Sequence, residues 1–295
     1  MNIKNLFLSF VSLAFGSCFA SSCDASQTQS LSSNQVSASD VIKKMRKEKS
    51  FVLEGKHVVG RLDLSSAGSG AFAVEMAPSY VDCEVVFVNC TFDDDVLSML
   101  KQADDKQIVY TVFRRAVSFR NCSFQKTLNL AQSLFEHPVS FQKCHFVGQV
   151  DMTGAKFRGG LSLNKASFDD QALFISSLVD ESLSLVGAEF HFNVNFQNAR
   201  INCNVMMPDV RFGGHAEFSG MYVAGNVNIS NARFAGRAIC SASYFAGELR
   251  APKCQFADFL TFESNTVLGP AVFSGIQTSK SPNNDGNNFF IQPVR

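Results

Sequence analysis

Residues 122–168 read CSFQKTLNLAQSLFEHPVSFQKCHFVGQVDMTGAKFRGGLSLNKASF. Phenylalanine recurs in this stretch with a spacing of 22 residues, and the column continues beyond it as Phe124, Phe146, Phe168, Phe190, Phe212, Phe234 and Phe256. Halfway between these residues lies a second apolar column, made of Phe113, Phe135, Phe157, Val179, Ile201, Val223, Phe245 and Val267. The repeating unit is therefore eleven residues long, and two units form one coil of 22 residues.

Within each unit, a pair of apolar residues separated by one residue follows the column residue, as in Val117/Phe119 and Leu161/Leu163. Residues i and i+2 share one face of a β-strand, so this spacing predicts short strands that point both apolar side chains inward. Four such strands close one coil, and the glycines Gly148, Gly187 and Gly236 are expected at its corners. The sequence thus predicts an all-β, four-sided parallel β-helix.

Stacked coils are expected to hydrogen-bond to one another at a separation of about 4.8 Å, with like side chains above like. Counting from Phe51 to Ile276 predicts about nine coils and a rod of about 40 Å. Phe92 joins the phenylalanine column only if about ten residues are inserted within 93–111. The acidic start and apolar spacing of that insertion predict a short helix that loops out of the rod.

These tandem pairs resemble the pentapeptide-repeat family, in particular a phenylalanine-rich variant in which steps of five and six residues alternate. The resemblance covers residues 51–276 and departs from the usual family coil of twenty residues. It implies a right-handed quadrilateral β-helix in which the column of Phe124 is central and Cys122, Cys144, Ala166 and Ala188 are the small inward partners. It implies little about function, since members of such a family share a shape more often than an activity.

The first twenty residues carry one charge, Lys4, followed by an apolar run that is too short to span a bilayer. Residues 1–20 are therefore interpreted as a secretory signal with cleavage after Ala20. A second interpretation remains open, in which residues 14–18 are a degenerate lipobox and Cys18 is acylated, tethering the protein to a membrane. Either interpretation predicts export to the periplasm, outer membrane or cell surface of a Gram-negative bacterium.

The segments that flank the repeat have a different composition. Residues 21–38 are rich in Ser and Gln, which predicts a flexible spacer, and residues 39–50 are expected to form a capping helix with Asp40 at its N-cap. The capping helix would cover the open edge of the first coil. Residues 277–295 are expected to form a C-terminal tail that either folds back onto the last coil or engages a partner chain.

Composition excludes several classes of function. Lys plus Arg (26) equals Asp plus Glu (26), so the chain has neither the basic surface of a nucleic-acid binder nor the acidic surface of a DNA mimic. None of the five histidines has a partner at metal-ligand spacing, and His145, next to Phe146, is expected to be a solvated surface residue. No catalytic triad or phosphate-binding loop is present. No metal, cofactor or catalytic residue is predicted, and the four column cysteines, Cys90, Cys122, Cys144 and Cys254, are interpreted as free thiols that fill small inward positions.

The sequence therefore predicts an exported, non-catalytic scaffold or protein-binding module of the cell envelope. Its partner is expected to be a protein of unknown identity, and a homodimer is left open. Two alternatives remain: a carbohydrate-binding or polysaccharide-acting β-helix, and a DNA mimic that protects topoisomerases. Export and the balanced charge oppose the second alternative, and the uniform coils oppose the first because glycan-cleaving β-helices build a groove from long loops.

Overall fold

The computed structural model describes residues 32–69, 76–101 and 108–294. In these residues the chain winds into a β-solenoid whose strands form four parallel sheets, one on each side of every coil. We number the sides in the order in which the chain visits them. Sides 1 and 3 face each other across the interior, as do sides 2 and 4.

The strands of side 1 carry the phenylalanine column. They are Gln35–Ser37, His57–Val59, Thr91–Phe92, Ser123–Phe124, His145–Phe146, Ser167–Phe168, Glu189–Phe190, Arg211–Phe212, Arg233–Phe234, Gln255–Phe256 and Gln277–Thr278. The strands of side 2 are Leu62–Asp63, Val96–Leu97, Leu128–Asn129, Val150–Asp151, Ala172–Leu173, Val194–Asn195, Ala216–Glu217, Ala238–Ser241 and Leu260–Glu263.

Side 3 carries the second apolar column. Its parallel strands are Met76–Val81, Ile108–Phe113, Leu134–Phe135, Lys156–Phe157, Leu178–Val179, Arg200–Ile201, Tyr222–Val223, Tyr244–Phe245, Thr266–Val267 and Asn288–Phe289. The strands of side 4 are Ser50–Glu54, Glu84–Val88, Val117–Arg120, Val139–Gln142, Leu161–Ser162, Leu183–Ser184, Val205–Met206, Val227–Asn228, Leu249–Arg250 and Ala271–Val272.

The register confirms the 22-residue coil and the inward position of the phenylalanines. Phe124 pairs with Phe146, which pairs with Phe168. From Phe92 to Phe256 the rings of this column stack at centroid distances of 4.5–5.3 Å, close to the spacing of the strands themselves. Their side chains are at most 6% exposed, so this column is the core of the rod.

The solenoid is longer than predicted, with about eleven coils instead of nine. At its start, Gln35–Ser37 lies within the predicted spacer and already pairs with His57–Val59. At its end, residues 277–294 are not a separate tail, because they add one more turn of backbone pairing to the coil before them. These additional coils were not predicted because both segments are rich in polar residues. Backbone hydrogen bonds between coils need no particular side chain, so a coil can form without an apolar pattern.

Two predicted helices differ from the structure. The N-terminal helix is Ala38–Met45, and its N-cap is Ser37, whose hydroxyl accepts a hydrogen bond from the backbone of Asp40 at 3.1 Å. Val41 and Met45 are buried against the strands of the first coil. The predicted N-cap at Asp40 was therefore wrong, because the serine three residues earlier satisfies that amide.

The insertion within 93–111 contains no helix in its described part. Val96–Leu97 continues side 2, and Met99–Lys101 pairs antiparallel with Ile108–Phe113 on side 3. The prediction of a looped-out helix was wrong because the apolar residue Val96 occupies an ordinary inward strand position. Over so short a run, helical and strand spacing share the same apolar positions.

Candidate binding surfaces

The outward columns of the four sides present repeated side chains to solvent. On side 4, Ser118, Ser140, Ser162 and Ser184 lie in register and form a hydroxyl ladder. On side 1 the outward column includes three consecutive charged residues, Glu189, Arg211 and Arg233, between Ser167 and Gln255. In the middle of the solenoid the inward positions are filled by the core, so these faces offer surfaces for contact more than clefts.

A network of ionisable residues lies beside the phenylalanine column on side 1. His145 Nε2 lies 2.7 Å from Asp169 Oδ2, and His191 Nδ1 lies 2.8 Å from Asp169 Oδ1. Glu189 continues the network, with its Oε1 at 2.8 Å from Nη1 of Arg211. Partial burial opposes ionisation of Asp169, but the hydrogen bonds with His191 and His145 outweigh it and hold the pKa of the Asp169 carboxyl below its usual value.

This network was not predicted, since His145 was expected to be a solvated surface residue. The 22-residue period could have indicated this network, because it places Asp169 and His191 in one outward column, beside the column of His145. The two imidazoles bind opposite oxygens of one carboxylate, and both are about half exposed. Within the described residues, no group of three or more histidine, cysteine or acidic side chains is arranged to hold a metal ion.

The seven cysteines of the described residues are free thiols: Cys83, Cys90, Cys122, Cys144, Cys203, Cys240 and Cys254. Cys144 Sγ donates to the carbonyl of Phe119 at 3.4 Å, and Cys254 Sγ donates to that of Ile229 at 3.0 Å. Burial raises the pKa of the Cys254 thiol to about 11, so almost none of it is thiolate at neutral pH. The five buried cysteines, Cys83, Cys90, Cys122, Cys144 and Cys254, therefore serve as core residues.

The two ends of the solenoid differ. The helix Ala38–Met45 packs against the first coil, and Arg46 Nε donates to the carbonyl of Ser66 at 2.6 Å. At the other end, no described residue pairs with the outer edge of residues 277–294. That last coil exposes Phe290 (65%), Ile291 (48%) and Val294 (60%). We call these three side chains the terminal apolar patch.

A cavity of about 620 Å³ lies inside the last coils, next to this end. Its wall consists mainly of inward apolar side chains, from Val205 to Phe289, and residues 284–287 of the last coil contribute polar groups. None of the side chains of the His145–Asp169–His191 network lines it. The sequence analysis did not predict this cavity.

Three predictions concern residues outside the described part of the chain. They are the signal at 1–20, the lipidation candidate Cys18 and most of the 21–38 spacer. No helix among the described residues has both the length and the hydropathy needed to cross a membrane.

A family model for pentapeptide repeats (nine copies) matches residues 130–178. No curated protein and no solved structure shows a significant match to the chain. The matched residues lie in the middle of the solenoid, and the same 22-residue register continues before and after them, from Phe124 to Thr278. By this match, residues 130–178 contain pentapeptide repeats, and they lie within a β-solenoid whose four-sided architecture continues on both sides of them.

Proposed function

We propose that this protein is an exported, non-catalytic scaffold or protein-binding module of the bacterial cell envelope, and that it binds its partner through the C-terminal end. The observation that carries this proposal is the asymmetry of the two ends. A helix covers the first coil, whereas no described residue pairs with the outer strand edges of the last coil, which exposes the terminal apolar patch. An exposed strand edge beside apolar side chains favours pairing with another chain.

The partner is a protein whose identity is open, a second copy of this chain included. Strand addition at the open edge would supply backbone hydrogen bonds, and Phe290 and Ile291 would supply the apolar contact. Aromatic and aliphatic residues at the centre of an interface contribute most of its binding energy.

The carbohydrate-binding alternative is less well supported by side 3. Tyr222 and Tyr244 stack on each other at 5.3 Å, and the guanidinium of Arg200 lies 4.3 Å from the centre of the Tyr222 ring. Sugars bind aromatic residues through the open face of the ring, and these contacts cover the faces that Tyr222 offers.

The DNA-mimic alternative is opposed by the net charge of zero and by the arginines that continue the column of Glu189.

Site-specific photo-crosslinking in the producing cell tests the binding site. A photoreactive residue replaces Phe290 in one variant and Ser140, on the serine ladder, in another. We expect a discrete adduct from position 290 and none from position 140. In a second experiment Ile291→Ser and Val294→Ser should weaken the adduct, whereas the control Val52→Ser, which alters a residue with similar exposure on side 4, should not. Equal labelling from both positions would contradict the proposal.

Export and anchoring need a separate measurement. Mass spectrometry of protein from fractionated cells should show an envelope species that begins after Ala20 or at an acylated Cys18, and Cys18→Ser separates the two outcomes. An intact species beginning at Met1 in the cytoplasm would refute export. The proposal also states that the protein is not an enzyme. Turnover of a glycan by the purified protein, abolished by Asp169→Asn, would refute this part of the proposal.

A further inference from the structure

Two inward columns lose their large side chains in the same coil. On side 2 the column Phe174, Phe196, Phe218 is interrupted by Cys240 and resumes at Phe262, with which Cys240 is paired in register. On side 4 the column Met207, Ile229 is interrupted by Ala251 and resumes at Phe273. Since sides 2 and 4 face each other, one layer of the core lacks the side chains that fill the layers on either side.

The cavity of about 620 Å³ lies at this gap, and all six side chains that border the gap line it: Phe218, Ile229, Cys240, Ala251, Phe262 and Phe273. Five of these six inward residues are only partly buried, the exception being Ala251. In the middle of the rod the corresponding residues Phe141, Leu163 and Leu185 are completely buried. The cavity is therefore open to solvent.

The cavity is long and narrow. Its lining extends from Val205 to the last coil, a distance of four coil steps or about 19 Å. A peptide helix, about 10–12 Å in diameter, would need more than twice the volume over that length. The volume lies within the range of about 300–1,000 Å³ that is usual for small-molecule sites. The shape thus favours an extended hydrocarbon chain.

The polar groups of the cavity lie in the last coil. Asn284 and Asp285 are exposed there, while Asn287 donates through Nδ2 to the carbonyl of Phe262 at 2.6 Å. No lysine, arginine or histidine is among the described residues that line the cavity. An anionic head group would meet the carboxylate of Asp285 without a compensating cation, whereas a hydroxylated, uncharged head group can hydrogen-bond to the exposed side chains of Asn284 and Asp285.

We propose that this cavity binds the hydrocarbon chain of an uncharged single-chain amphiphile, with its head group at residues 284–287. Without such an occupant, the side chains around the gap lose contacts that a filled layer would give them. This inference is independent of the proposed protein partner, because it concerns the interior of the last coils and not the terminal apolar patch.

Calorimetric titration of the purified full chain tests the proposal, with monoacylglycerols of eight, ten and twelve carbons as probes, each below its aggregation concentration. We expect one site, and affinity that rises about four-fold with each added methylene group. Laurate, which has the same chain and a charged head, should bind at least ten-fold more weakly than monolauroylglycerol, and glycerol should not bind.

Variants of the gap locate the site. Cys240→Phe restores the ring column between Phe218 and Phe262 and should weaken monolauroylglycerol binding at least ten-fold, whereas the control Cys240→Ala leaves the gap open and should retain binding. Ala251→Ile, which copies Ile229 one coil earlier, provides a second blocking variant if Cys240→Phe fails to fold. Three results would each overturn the proposal. The wild type does not bind monolauroylglycerol, the folded blocking variant binds it as well as the wild type does, or the affinity does not depend on chain length.

Discussion

Phe146 lies between Phe124 and Phe168, with ring centroids at 4.9 and 4.7 Å, and its side chain is fully buried. We predict that Phe146→Ala lowers the free energy of unfolding by about 3–5 kcal/mol, because it removes a ring from a stack that cannot close over the gap. Denaturant unfolding monitored by circular dichroism measures the loss.

Phe192 provides the matched control, since it is the same residue type two coils further along the solenoid but is 50% exposed. Phe192→Ala should change the free energy of unfolding by less than about 0.5 kcal/mol. Equal losses in the two variants would mean that stability does not depend on the stacked column.

Asp169 gives side 1 a dependence on pH. The pKa of its carboxyl is lowered below 3.8 in the folded protein, so Asp169 contributes stability that is fully present above pH 3.8 and is lost as the pH falls through the folded-state pKa. We predict that Asp169→Asn is less stable than the wild type at pH 6 and that the difference shrinks below pH 4. Thermal unfolding of both proteins from pH 2.5 to pH 6 measures it. A difference that grows on acidification would contradict this assignment.

The sequence predicted the residues of the core better than the contacts of the surface. The phenylalanine column could be predicted because its spacing is constant and only the inward position excludes water. Asp169 hydrogen-bonds to His191 in its own outward column and to His145 in the neighbouring column. The sequence pattern does not specify how these side chains turn at the surface. The gap at Cys240 is visible as a break in a column, but only the structure shows that Ala251 faces it.

At the scale of the strand and its corner, a left-handed backbone conformation recurs every eleven residues. From Asn121 to Gly286, every eleventh residue has a positive φ, between 51° and 68°. The column consists of Asn121, Gln132, Lys143, Gly154, Lys165, Ser176, Gly187, Asn198, Asp209, Gly220, Asn231, Ala242, Lys253, Ser264, Gly275 and Gly286. Because so many residue types occupy it, the sequence pattern could not reveal this left-handed corner.

Other glycines, such as Gly236, were predicted at corners but have a different role. A Cβ atom at Gly236 would lie 2.4 Å from the carbonyl oxygen of Gly214 in the preceding coil, so this position needs a residue without a side chain. The left-handed corner at Ala242, by contrast, has no glycine although its φ of 51° favours one.

We therefore predict opposite effects for two exchanges between alanine and glycine. Ala242→Gly should stabilise the protein by about 0.5–1 kcal/mol, because it relieves backbone strain at an exposed position. Gly236→Ala should destabilise it by about 1–3 kcal/mol, because the coils must move apart. Denaturant titration of each variant is the measurement, and effects of the same sign would show that the corners do not differ in this way.

At the scale of the whole molecule, a solenoid is stabilised coil by coil, since each coil contacts only its neighbours. Sequence periodicity predicted this architecture but not its length, because Gln35–Ser37 and the last coil continue the backbone pairing without continuing the phenylalanine column. The ends differ in what covers them, and the C-terminal coils also contain the cavity. Local stability is therefore expected to decrease toward the C-terminus.

Hydrogen exchange followed by mass spectrometry can measure this gradient. The amide of Leu163 donates to the carbonyl of Ser184 at 2.7 Å and that of Phe262 to the carbonyl of Asn283 at 2.7 Å, so the two bonds are alike in length. We predict that Phe262 nevertheless exchanges at least ten-fold faster, because its coil borders the gap and the open end and opens without disturbing the middle of the rod. Cys240→Phe should slow exchange at Phe262 and leave Leu163 unchanged. Equal protection of the two amides in the wild type would mean that the solenoid opens as one cooperative unit and that neither the gap nor the open end weakens its last coils.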